Sequence, residues 1–277
     1  MRVFVTGATG FIGSAVVSEL MGAGHQVIGL ARSENGAEML KKAGAAVQYG
    51  ALDDPDSLRS AATAADGVIH LAFGNDFSNF AHCLETDLQA VKTIGAALEG
   101  SGKPFIITAH MNGAASENAV FELSGVRSSV VNLAPSVHGE GEHGFVPILI
   151  NIARTKGVSA YVGDGSNRWP AVHRLDAANL YRLALEKASI GSRLFGRAEE
   201  VPFREIAGVI GKHLNLPVVS ISPEEADAHL GFLAPIAAAD IPSMVPGSIT
   251  QTQELLGWRP VHPGLIADLE LGHYFKS

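Results

Sequence analysis

The segment VFVTGATGFIG at residues 3–13 places Gly7, Gly10 and Gly13 three apart, directly behind an apolar run. A strand that ends in such a turn and re-emerges as a helix can hold a phosphate. Gly7 permits the tight turn, Gly10 a close backbone approach and Gly13 close helix packing, while the helix opening near Phe11 aims its N–H groups at the anion. A second stretch with chemical potential is IITAH at 106–110. Thr108 supplies a hydroxyl and His110 an imidazole at the carboxyl end of a candidate strand, the end at which ligands bind in open α/β sheets. His110 is the candidate proton donor near neutral pH and Thr108 a positioning group; the other reading of His110 is a surface or packing histidine. His70, between Ile69 and Leu71, reads as a satisfied core histidine. The run HGEGEH at 138–143 offers His138, Glu140, Glu142 and His143 as metal ligands. In a glycine-interrupted loop with no further cluster nearby, the expectation is a solvated loop and no metal.

These groups need a scaffold. Short β-branched runs alternate with Ala/Leu-rich stretches through the first two-thirds of the chain, the pattern of a parallel sheet covered by helices on both faces. Candidate strands are 2–6, 26–30, 46–49, 67–71, 104–108 and 127–133, with helices near 11–23, 34–43, 55–64, 84–100 and 114–124. From about Pro135 the texture changes to helices separated by Pro/Gly turns such as GDGSNRWP (163–170) and LNLPVVSISPEE (214–225). The fold class expected is α/β, a Rossmann-type doubly wound parallel sheet with a smaller C-terminal substrate region. Its boundaries are 1–135 for the dinucleotide-binding core and 136–277 for the mixed region that returns to the core and forms the substrate-binding part. In that second region Asp176 is expected to cap or anchor a helix over 175–187, and Glu199 and Glu200 to lie on a solvated turn.

With 277 residues the chain can bury a sizeable core. A net charge of −8 and a pI of 5.7 give no basic footprint for nucleic acid or anionic membrane. The single cysteine, Cys83, cannot form an internal disulfide, the opening MRVFVTGATG reads as no signal peptide, and no run of 18 apolar residues suggests a span. A cytoplasmic protein acting on a small molecule is expected. The helix carrying Phe77, Phe80, Leu84, Leu88, Val91, Ile94 and Leu98 has more apolar positions than one core-facing stripe requires, so a homodimer is a further expectation.

A dinucleotide fold reads the adenosine ribose at the end of its second strand, about 20 residues past the glycines. There the chain reads GLARSE (29–34), with Ala31, Arg32 and Ser33 where an acid would chelate the 2′-hydroxyl of NAD. Arg32 suits a 2′-phosphate, so NADP(H) is the expected cofactor and NAD(H) the alternative. The competing reading takes Arg32 as a solvated surface residue beside an unhelpful Glu34.

On TGATGFIG (6–13), VIHLAF (68–73), ETDLQAV (85–91), NLAPSVHGEG (132–141), VGDGSNRWPAVHRLDAANLYRLALE (162–186) and ELLGWRP (254–260), the chain resembles the atypical and extended short-chain dehydrogenase/reductases of the NAD-dependent epimerase/dehydratase group. The resemblance implies cofactor binding by Gly7, Thr9, Gly10, Phe11, Ile12 and Gly13, with Arg32 and Ser33 at the ribose and Leu52 bordering the adenine. It also implies that Leu71 and Ala72 line the cofactor, that Thr108 approaches it, and that Pro135, Ser136 and Val137 flank the nicotinamide.

The chemistry of that family rests on a Ser or Thr at the fifth strand and a Tyr-x-x-x-Lys pair on the next helix. Here the positions after Thr108 read Ala109-His110, Gly113 aligns with the tyrosine and Glu117 with the lysine, and only 109–113 separate strand from helix. Asp87 stands where many relatives carry a water-anchoring asparagine; the alternative is an exposed carboxylate beside Lys92. Three functions remain: an NADP-dependent oxidoreductase on a small carbonyl or related substrate, a non-catalytic NADP(H)-binding sensor, and a nucleotide-sugar epimerase/dehydratase.

Overall fold

The computed structural model describes residues 1–74, 79–244 and 249–276. Strands are β1 (Arg2–Thr6), β2 (Gln26–Ala31), β3 (Ala46–Tyr49), β4 (Gly67–His70), β5 (Pro104–Thr108), β6 (Arg127–Leu133), β7 (Ser136–His138), β8 (Ser159–Val162), β9 (Arg168–His173), β10 (Ser192–Gly196), β11 (Glu199–Pro202) and β12 (Val218–Ile221). The principal helices are α1 (Phe11–Gly22), α2 (Glu34–Lys42), α3 (Pro55–Ala64), α4 (Phe80–Leu98), α5 (Ala114–Phe121), α6 (Phe145–Lys156), α7 (Arg174–Lys187), α8 (Phe203–Leu214) and α9 (Pro223–Leu230), followed by shorter helices that include Leu265–Glu270.

Seven strands form the main sheet in the order β10-β6-β5-β4-β1-β2-β3, and β3 through β6 are joined by parallel pairings. The expected doubly wound α/β class is therefore what the chain adopts. The order in which successive strands are added reverses between β1 and β4, which makes the crevice beyond Thr6 and His70 the topological switch point. Alternation along β1 divides the two faces. Phe4 joins Leu58, Ala61, Ala90, Val91, Ile94 and Leu98 in the core under α3 and α4, while Val3 and Val5, also fully buried, point to the other side. There α1 is tied to α7 by Glu19, which accepts from Arg182 Nε at 2.7 Å and Asn179 Nδ2 at 3.0 Å.

The chain forms two compact units: residues 1–132, 177–195 and 250–259, and residues 133–176, 196–249 and 260–277. In the second, β11-β9-β7 form one sheet and β12-β8 another. More strand appears here than the sequence suggested. The run 163–170 was expected to be a turn, but β9 begins at Arg168 and carries Pro170 in the middle strand of three, a place proline normally avoids because it has no N–H to give. The run 214–225 holds β12 and the start of α9. Glu199 and Glu200 are not on a solvated turn but in β11, where Glu200 pairs with Arg168 and Glu199 accepts the N–H of Leu265.

Helix α4 starts at Phe80 rather than 84 because the apolar spacing continues back to that residue. Phe77 lies outside the described residues. Val91, Ile94 and Leu98 are buried, while Leu84 and Leu88 are only partly covered.

Two glycines in the first loop are required by geometry. Gly7 has φ 67°, and a Cβ there would stand 2.8 Å from the Ala72 nitrogen. A Cβ on Gly13 would stand 1.9 Å from the Gly7 carbonyl oxygen. Neither obstacle is a side chain that can swing aside. Gly13→Ala is therefore expected to lose roughly 1–3 kcal/mol of stability as an overpacked site, read as a lower urea midpoint; an unchanged midpoint would show that the loop tolerates a wider α1 approach.

Candidate active site

At the switch point the chain builds a buried hydrogen-bond network in the first unit. Thr6, at the end of β1, is fully buried and its hydroxyl oxygen accepts the N–H groups of Leu71 and Ala72, both at 3.2 Å. Its own proton is left for His70 Nδ1 at 2.8 Å. His70 must then carry its proton on Nε2, which it donates to Asp87 Oδ1 at 3.1 Å. Ser116 of α5 donates to Asp87 Oδ2 at 2.5 Å. The expectation of a satisfied core histidine holds for His70. The reading of Asp87 as an exposed carboxylate does not: it is 1% exposed. Burial pushes its pKa up, but the hydrogen bonds from His70 and Ser116 outweigh that and hold it below the ordinary value.

His110 sits beside this network. Its ring stacks on Phe73 with centroids 4.0 Å apart, and Nε2 lies 3.8 Å from Asp87 Oδ1, too far for a hydrogen bond. Burial lowers the imidazole pKa to about 4, against the upward pull of Asp87. At neutral pH the ring is uncharged, so it is no imidazolium donor of the kind the sequence suggested; the desolvation that comes from Phe73 and the loop packing was not visible in IITAH. Thr108 is also less available than expected. Its hydroxyl donates to the His70 carbonyl at 3.2 Å and lies 2.7 Å from the hydroxyl of Tyr181, a fully buried side chain.

The positions that the resemblance sets against the tyrosine-lysine pair are occupied otherwise. Gly113 is the N-cap of α5, where a Cβ would come within 3.0 Å of the His110 carbonyl oxygen, and Glu117 pairs with Arg193.

The sequence model of the NAD dependent epimerase/dehydratase family matches residues 3–118. An uncharacterized protein of Schizosaccharomyces pombe is 45% identical over 300 aligned residues, covering 99% of this chain and 100% of the relative. The chain belongs to this family. The alignment is longer than the chain's 277 residues, so the yeast relative carries residues that this member lacks. The 2-alkyl-3-oxoalkanoate reductase of Stenotrophomonas maltophilia is 27% identical across 79% of the chain and 77% of its own length. Among solved structures, a dTDP-glucose 4,6-dehydratase from Streptomyces venezuelae, with NAD bound, has the same fold: TM-score 0.74 at 18% identity, over 98% of this chain and 96% of that one.

The glycine loop of this epimerase/dehydratase member fits a dinucleotide phosphate. Gly10 caps α1 with extended backbone and no side-chain hydrogen bond, so no side chain competes for the anion at that helix start. Thr9, Phe11 and Ile12 flank it, partly buried, and Gly13 is covered. Leu52, Leu71 and Ala72 are likewise partly exposed. At the end of β2 Ala31 is buried and Arg32 fully on the surface. Ser33 accepts from Gly36 N–H at 3.2 Å as the N-cap of α2, and Glu34 is engaged by the Tyr49 hydroxyl at 3.0 Å. In the second unit Pro135 and Val137 are partly exposed, and Ser136 is buried with no hydrogen-bond partner for its hydroxyl among the described residues.

The loop 138–143 was expected to be solvated throughout. Glu140 and His143 are exposed, but His138 is 1% exposed and donates from Nδ1 to Asp268 at 2.9 Å. The Tyr274 hydroxyl accepts the Gly139 N–H at 2.8 Å and faces three acceptors: Glu142 Oε2 at 2.7 Å, Asp268 Oδ2 at 3.3 Å and the Gly139 carbonyl at 3.3 Å. One phenol proton cannot serve two carboxylates and a carbonyl. Burial raises the Glu142 pKa to about 7 despite the hydrogen bonds from Tyr274 and the Val146 N–H, so that near neutral pH it can carry a second proton in this cluster. Nearby, burial takes His173 down to about 4; its ring stacks on His262, which is bonded to Asp176 at 2.8 Å. Asp176 also accepts the N–H groups of Val261 and His262, so it anchors that segment rather than capping a helix alone. The sequence signal for this cluster was present only as HGEGEH; Asp268 and Tyr274 lie more than 120 residues away along the chain.

A folded-state pKa above the unfolded one means that Glu142 contributes fully below about pH 4.5 and loses its contribution as pH rises through about 7. Glu142→Gln keeps the neutral form at every pH. The stability of Glu142→Gln relative to the parent should therefore increase from pH 5 to pH 7 and level off above, in urea melts at each pH. His173, whose linkage has the opposite sign, is common to both proteins and drops out of the difference. A constant difference from pH 5 to pH 8 would mean that Glu142 carries no extra proton.

Proposed function

We propose that this epimerase/dehydratase-family chain binds NADP(H) in preference to NAD(H) and is an oxidoreductase for a small carbonyl compound or the matching alcohol. The observation that carries the cofactor choice is the surface at the end of β2. Arg32 is exposed, no acid chelates the ribose, and Glu34, the nearest carboxylate in sequence, is occupied by Tyr49. Charge-assisted hydrogen bonds from Arg32 and the Ser33 hydroxyl to a 2′-phosphate supply about 1.5–3 kcal/mol each, a preference of roughly 10- to 100-fold. The reductase from S. maltophilia supports the carbonyl side of the proposal. His110 is the group placed to exchange a proton, beside the ionised Asp87.

A second reading, a non-catalytic NADP(H) sensor, is favoured by one specific feature: the Thr108 hydroxyl is spent on Tyr181 and the Gly113 and Glu117 positions are occupied otherwise. A nucleotide-sugar epimerase or dehydratase would meet the same obstacle.

Calorimetric titration should give tighter binding of NADPH than NADH, with the difference lost in Arg32→Ala. Equal affinities in the parent, or an unaltered difference in the variant, would remove the NADP proposal. Loss of NADPH absorbance with any member of a carbonyl panel separates the enzyme from the sensor.

We further propose a homodimer in which a second copy covers Leu84 and Leu88 on α4, both only partly buried in the single chain. Light scattering at micromolar concentration should return twice the chain mass of 28.9 kDa; a value near 28.9 kDa would end that proposal.

A further inference from the structure

We propose that Asp87 is a positioning residue that fixes His110 in its Nε2–H tautomer, so that at neutral pH the imidazole presents Nδ1 as a proton acceptor rather than a donor. The inference starts from an orphan. His110 Nε2 is buried and has no hydrogen-bond partner among the described residues, although it lies 3.8 Å from Asp87 Oδ1. The protonation of the surrounding groups follows from the hydrogen bonds alone. Thr6 gives its proton to His70 Nδ1 because both N–H groups it meets are donors, and His70 in turn gives Nε2–H to Asp87. Ser116 donates to the other carboxylate oxygen. Asp87 is therefore held as an acceptor only, and with two donors attached a carboxylate still has lone pairs to spare.

The nitrogen that faces such a carboxylate has two choices. A bare lone pair on Nε2 would set negative density against negative charge in a poorly solvated place, whereas an N–H is attracted. With the proton on Nε2, the lone pair of the neutral ring is on Nδ1. Phe73, stacked at 4.0 Å, restrains the ring plane, and burial keeps the ring neutral. Among the described residues, the other titratable group acting on His110 is His70, bonded to the same Asp87. For the oxidoreductase reading, on which only this consequence rests, Nδ1 would take the proton of a substrate hydroxyl. The O–H bond breaks and an N–H bond forms, leaving an imidazolium beside Asp87 that gives its proton to water.

The test reads the tautomer without turnover. In the 15N-labelled full chain at neutral pH, with the resonances assigned through His110→Gln, the His110 Nε2 shift should fall in the protonated range and Nδ1 in the unprotonated range. A protonated Nδ1 in the parent protein overturns the proposal outright. In Asp87→Asn the Nδ1–H form should rise to a detectable share, and an unchanged tautomer there would remove the role of Asp87. If Asp87→Asn does not fold, Asp87→Glu, which retains the charge, must keep the parent pattern; a switch to Nδ1–H in that variant counts equally against the proposal. Loss of NADPH binding in the parent would sink the proposed function while leaving the tautomer assignment to stand or fall on the spectrum.

Discussion

A carboxylate at 1% exposure cannot be left alone, and the architecture at the switch point is arranged around Asp87. Removing such a group from water costs several kcal/mol, and the cost is offset only where donors converge on it. Those donors come from β4 through His70 and from α5 through Ser116, and Asp87 itself rides on α4. The chain of bonds continues through Thr6 to the backbone of Leu71 and Ala72, and Ala72 is the atom group against which Gly7 must fit. The glycine turn therefore packs directly against the backbone to which the hydrogen-bonded network from Asp87 reaches.

The elements that position the site were legible because they obey local rules. Four of the six proposed strands, β1, β3, β5 and β6, begin and end where the β-branched runs do, and α3 opens on the Asp54-Pro55 pair that caps and starts it. Legibility failed where a residue's surroundings come from elsewhere in the chain. Asp87 looks like a helix surface carboxylate in ETDLQAV, and only the approach of β4 and α5 buries it. Glu142 looks solvated in a Gly-rich loop, and only the return of the chain at Asp268 and Tyr274 changes its protonation. Pro170 argued for a turn, yet it occupies a strand whose partner on one side, β11, meets it through Glu200.

Both units treat their buried histidines in the same physical way. His70 and His138 each face a carboxylate held by further donors, so the ring becomes a fixed donor on that side. His110 and His173 are stacked on another ring, Phe73 and His262 respectively, and burial lowers the pKa of both to about 4. Each unit thus sets a carboxylate-held histidine beside a stacked one whose burial holds it neutral at neutral pH.

That arrangement bears on the missing tyrosine-lysine pair. A tyrosine at Gly113 would place its Cβ 3.0 Å from the His110 carbonyl oxygen, so the backbone there would have to give by a few tenths of an ångström. A lysine at Glu117 would exchange an ion pair with Arg193 for a repulsion, and Arg193 also lies over the Phe121 ring with its guanidinium carbon 4.6 Å from the centroid. The packing at both positions is thus made by the residues present: a Cβ-free cap at Gly113 and an ion pair at Glu117. With Thr108 bonded to Tyr181, His110 Nε2 is a buried nitrogen at this end of β5 without a hydrogen-bond partner among the described residues. That imidazole is neutral at neutral pH and faces the Asp87 carboxylate across 3.8 Å.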